Sequence, residues 1–110
     1  MDIEFASSKL QKVLGDEKKL QQNYGDRAKP IKLRLVLLIQ AECLADVPHT
    51  PPPRRHMLSE DRKGQFAVDL KHPWRLVFEP ANDPLPLMDD GSIDLTRVTK
   101  LRIIEITDYH

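Results

Sequence analysis

Three short stretches of the chain carry side chains suited to proton transfer or phosphate binding. "RRHMLSEDRKG" contributes His56, Arg62 and Lys63, "HPWRLVF" contributes Arg75, and "TDYH" ends the sequence on Asp108, Tyr109 and His110. Attack of a ribose 2′-OH on the adjacent phosphate needs a base for that hydroxyl, an acid for the departing 5′-oxygen, and cations for the charge on the phosphorane. Histidine, with an ordinary pKa of about 6.5, serves in either protonation state near neutrality. Arginine supplies a rigid fork of donors matched to phosphate, and a tyrosine facing outward donates a proton or stacks on a base. Strand scission in RNA needs such a set. Which of His56, Tyr109 and His110 is base and which acid stays open.

Such a set converges only if strands carry it. "GQFAVDL" places Phe66, Val68 and Leu70 on one face, and "PWRLVFE" does the same with Trp74, Leu76 and Phe78, so Arg75 points away from the core. Lys71-His72-Pro73 between them predicts an antiparallel hairpin. "RRHML" reads as a preceding strand and "VTKLRIIEITDYH" as the last one. Antiparallel neighbours would bring His56, Arg75, Tyr109 and His110 onto one sheet, with Arg62 and Lys63 at its rim. Competing structural roles exist for each: Arg75 could pair with Asp69 or Glu79, and Tyr109 could close the sheet end.

The first half reads differently. "MDIEF" alternates as a short strand, and "SSKLQKVLGDEKKLQQNY" predicts one helix interrupted at Gly15 or two short ones. "IKLRLVLLIQAECL" satisfies both periodicities; its Leu, Lys and Arg content favours helix, with Pro30 tolerated in the first turn. "ADVPHTPPP" is a loop, and "PANDPLPLMDDGSIDL" a long acidic excursion. The expectation is a single α+β domain over 1–110, with an N-terminal strand and two helices packed on a small antiparallel sheet.

Seventeen basic and seventeen acidic residues balance, so net charge argues for no particular partner. The distribution is uneven: Lys9, Lys12, Lys18, Lys19, Arg27, Lys29, Lys32 and Arg34 face only Asp16, Glu17 and Asp26 in their segment, whereas Glu79 to Asp94 is purely acidic. One cysteine, Cys43, permits no intrachain disulfide, and no apolar leader or membrane-length run is present, which predicts a cytoplasmic protein. Cys43, His49, His56 and His72 are irregularly spaced, so neither a metal nor a cofactor is expected.

The run "HMLSEDRKGQFAVDLKHPWRLVFEP" followed by "EITDYH" resembles the HigB branch of the RelE/ParE superfamily of bacterial type II toxins, over nearly the whole chain. The motifs that carry the resemblance are His-x-Leu-x-x-Asp-Arg-x-Gly and the terminal Asp-Tyr-His. It implies a RelE-like fold and a metal-independent, ribosome-dependent messenger-RNA endoribonuclease, held inactive by a HigA-like helix-turn-helix antitoxin. DNA would be met only through that antitoxin, and membranes not at all. Carried over by position, the catalytic set is His56, Arg62, Arg75, Asp108, Tyr109 and His110, with Lys63 as a candidate substitute charge. The basic residues of the helical segment, with Arg54 and Arg55, would then contact RNA or ribosome. Departures are Ser59 and Glu60 where similar toxins often carry Lys-Gly, Pro73 where an asparagine is common, and the zero net charge. The alternative is a toxin-like binding module without nuclease activity, or a gyrase-directed inhibitor.

Overall fold

The computed structural model describes residues 1–108, apart from the Glu60 side chain. Among the described residues, three α-helices cover one face of a five-stranded sheet. The strands are β1 (Asp2–Phe5), β2 (His56–Met57), β3 (Phe66–Asp69), β4 (Arg75–Pro80) and β5 (Lys100–Thr107), in the order β1-β5-β4-β3-β2.

The interrupted helical segment resolves into α1 (Ser8–Leu14) and α2 (Glu17–Tyr24). The Ser7 hydroxyl accepts from the Leu10 N–H at 3.1 Å, and the Asp16 carboxylate accepts from the Lys18 and Lys19 N–H groups at 2.9 and 3.1 Å. Each side chain satisfies donors that a helix start leaves orphaned. Between the two helices, a Cβ on Gly15 would come within 2.9 Å of the Gln11 carbonyl oxygen, so the corner requires glycine. The ambiguous segment is helix α3 (Ala28–Gln40), which buries Ala28, Ile31, Leu35 and Leu38. It stops one residue short of Ala41, which is extended. Ile39, which also fits the apolar face by spacing, is 54% exposed instead.

The β3–β4 hairpin forms as the alternation predicts, with Phe66 opposite Phe78 and Val68 opposite Leu76. Their rings and methyls, with Leu101 and Ile103 of β5 and the buried faces of the helices, make the core. Phe66 and Phe78 stack with ring centroids 6.1 Å apart. The sheet is mixed rather than wholly antiparallel, because β1 runs parallel to β5. A parallel neighbour needs a long crossover, and the helices with the following strands supply it.

Candidate active site

Strand alternation gives β2, β3, β4 and β5 a second face, turned away from the helices. His56 lies opposite Ala67, Ala67 opposite Val77, and Val77 opposite Glu105. The next row is Asp69, Arg75 and Thr107. Residues opposite one another share a face, so His56 and Arg75 stand on the same surface, as the sequence predicts. Its floor is a small apolar cluster of Leu58, Ala67 and Val77 packed by Ile104. A bulge between Val77 and Phe78 on the β4–β5 ladder adds the extra residue on β5, which returns Ile106 to the core side.

His56 is held by its neighbours. Its Nδ1 lies 2.8 Å from the Arg54 carbonyl. A carbonyl can only accept, so Nδ1 carries the proton, and in the neutral ring Nε2 keeps the lone pair. Arg54 itself has φ +46°, a left-handed conformation uncommon for a side-chain-bearing residue. Its guanidinium donates to both oxygens of Asp69, from Nε at 2.6 Å and from Nη2 at 3.0 Å. Those bonds raise the Arg54 pKa above its ordinary value. The loop is tied further by the Asp69 N–H donating to the Pro53 carbonyl at 2.7 Å and the Arg55 N–H to that of Pro48 at 2.9 Å. From the other side, Arg34 Nε donates to the Asp69 carbonyl at 2.8 Å.

Arg62 closes the rim. Its Nη2 donates to Glu105 Oε1 at 2.6 Å and its Nη1 to Gln65 Oε1 at 3.3 Å. The pair is about one-third exposed on each side, at 34% and 38%. Arg75, beside Asp69 on the sheet, is half-buried. Of the carboxylates beside it, Asp69 pairs with Arg54, and Glu79 with Arg102 at 3.3 Å. Lys63 and Asp108 are exposed, and Asp108 follows directly after β5. Tyr109 and His110 lie outside the described residues.

The basic residues expected to contact RNA divide into two groups. Lys9, Lys12, Lys18, Lys19, Lys29 and Lys32 are exposed on the helices, with Lys32 paired to Glu17. Arg27 instead stacks on the Trp74 ring, 3.7 Å from its centroid, and lies 5.2 Å from that of Tyr24. Arg34 and Arg54 meet at Asp69, and Arg55 Nε donates to the Val47 carbonyl at 2.8 Å. These four arginines brace the fold around the site. Sequence reading missed the roles of Asp69 and Glu105; Asp69 was findable as the acid on the outward phase of β3, but Glu105 was hidden by the bulge. Among the described residues no group of three or more metal-ligating side chains forms, and no helix is long and apolar enough to cross a membrane.

A mixed sheet covered by helices on one face is a fold this chain shares with solved toxins of the YoeB/ParE type. The YoeB/ParE toxin from Agrobacterium tumefaciens superposes with a TM-score of 0.57 at 13% identity, over 100% of both chains. The Staphylococcus aureus YoeB-YefM complex aligns with a TM-score of 0.54 at 19% identity, covering 100% of this chain and 97% of that one. A YoeB dimer from the same organism gives 0.51 at 20%, with the same coverage. No family model and no curated protein matches the sequence. The likeness is one of fold.

Proposed function

We propose that this protein is the toxin of a type II toxin–antitoxin system and cleaves messenger RNA on the ribosome. The observation that carries the reading is the shared face of His56 and Arg75, with Arg62 at its rim. With Nδ1 donating to the Arg54 carbonyl, neutral His56 offers Nε2 to take the proton of a 2′-OH. Arg75 and Arg62 would supply donors to the non-bridging oxygens as charge builds on the phosphorane. The acid for the 5′-oxygen would come from the terminal Asp108-Tyr109-His110 triplet. The exposed lysines of α1 and α2 would meet the ribosomal RNA backbone, and a helix-turn-helix, HigA-like antitoxin would cover the open face, working in the cytoplasm.

The Arg62–Glu105 pair favours a second reading. A carboxylate that already neutralises one of the phosphate-binding cations, together with Ser59 and Glu60 in place of Lys-Gly, suits a binding module or a gyrase-directed inhibitor. Induced expression in a bacterial host with mapping of transcript 5′-ends separates the two. The ribonuclease reading expects growth arrest with cuts inside translated frames. Growth arrest with intact transcripts and altered plasmid supercoiling would support the inhibitor instead.

A further inference from the structure

The β1 ladder ends with Phe5 opposite Ile103, where the Ala6 N–H donates to the Ile103 carbonyl at 2.9 Å. β4 continues beside β5 as far as Thr107. From Ile104 to Thr107, β5 therefore has a strand on one side alone among the described residues. The other side borders an open groove of about 340 Å³ between β5 and the first two helices. Leu10 and Ile104 give it apolar walls, Tyr24 and Asn23 line its helical end, and Lys9 and Glu105 add charge.

We propose that this groove takes one unpaired nucleobase of an RNA strand laid across the open face; the idea rests on the ribonuclease reading. Three observations carry it. Glu105 belongs to both regions, pairing with Arg62 on the face and lining the groove, so the two share a wall. A base has apolar ring faces and a hydrogen-bonding edge, which matches aliphatic walls beside the donors and acceptors of a half-paired strand. Asn23 sharpens the match: its Nδ2 donates to the Lys19 carbonyl at 2.7 Å, which leaves Oδ1 to accept from an exocyclic amino group. The half-paired strand would also accept an extended peptide. Lys9 in the groove, with Lys12 and Lys19 exposed on the same helices, favours the polyanion.

The test titrates the full chain with each nucleoside 5′-monophosphate, following the backbone amides of residues 104–107 by NMR. Cut sites are sequenced in parallel for the wild type, Asn23→Ala and Asn23→Trp; Asn23 is exposed, so neither variant disturbs the core. The expected result is amide shifts with at least one nucleotide, lost in Asn23→Trp. Base preference at one position beside the cut should fall roughly tenfold in both variants. Amides that do not respond, or that respond only to an extended Val-Glu-Val-Glu peptide, overturn the proposal, as does an unchanged base preference in a protein that cuts RNA. Nucleotide-induced shifts abolished by Asn23→Trp in a protein that cuts nothing would uphold the groove and overturn the ribonuclease reading.

Discussion

Asp69 grips Arg54 through both carboxylate oxygens, at 2.6 and 3.0 Å, and thereby decides where His56 stands two residues later. The ion pair crosses from β3 to the end of the proline-rich loop and holds Arg54 in its left-handed conformation. That conformation aims the Arg54 carbonyl at His56 Nδ1. Asp69 is also the register partner of Arg75 in the sheet, so one residue adjoins both the loop that holds the proposed base and the strand that carries the proposed phosphate-binding cation.

Asp69→Asn keeps the shape and removes the charge. It should lower stability by about 1 kcal/mol, as expected for a partly exposed bidentate pair, and reduce RNA cleavage more than it reduces RNA binding. Chemical denaturation and single-turnover cleavage check the two parts. Full cleavage in a variant that has lost the pair would remove Asp69 from the positioning of His56.

Glu105→Gln releases Arg62 from its carboxylate. RNA affinity should rise, and the salt dependence of binding should steepen by about one phosphate contact. Filter binding over a range of salt concentrations reads both. An unchanged slope would mean that Arg62 does not meet phosphate.

The edge of the sheet has its own electrostatic ladder, in which Glu4 of β1 takes Arg102 at 2.9 Å and Lys100 at 3.2 Å. Hydrogen bonds from Arg102 and then Lys100 hold the Glu4 carboxyl below its ordinary value of 4.5. A carboxyl depressed in the folded state contributes stability above its unfolded pKa and loses it as pH falls through the folded one. The melting temperature should therefore decline below about pH 4.5, and less steeply in Glu4→Gln than in the wild type. Because the pair is exposed, high salt should shrink the difference. Parallel pH profiles for the two proteins would disprove the role of Glu4.

In the core, Phe78→Ala removes one partner of the Phe66 stack at a fully buried position. The expected cost is about 3 to 5 kcal/mol, read by denaturant unfolding. A loss under about 1 kcal/mol would mean that the core refills the space.

The hairpin was legible because β3 and β4 alternate cleanly: Phe66, Val68, Leu76 and Phe78 all go inward, and so Arg75 had to go outward. The break at Gly15 was legible too, from glycine followed by the Asp16 cap. The parallel pairing of β1 with β5 was not, since strand direction across a hundred residues leaves no local mark on either strand. Nor could alternation place Glu105 correctly, because the bulge shifts β5 by one residue beside Val77 and Phe78. Arg54 and Arg55 stand in the sequence as candidate RNA contacts, and only the fold reveals Asp69 and the Val47 carbonyl as their partners. Charge counts along a chain do not distinguish cations that meet solvent from cations that brace loops.

The central claim rests on Arg75, and the most direct measurement is messenger-RNA integrity in a reconstituted translation reaction, with and without ribosomes, for wild type and Arg75→Ala. Loss of phosphate stabilisation should raise the barrier by about 2 to 4 kcal/mol, so the wild type should cut only with ribosomes present and the variant should leave the message intact. Equal cutting by both proteins, or an intact message with saturating wild type, would contradict the account.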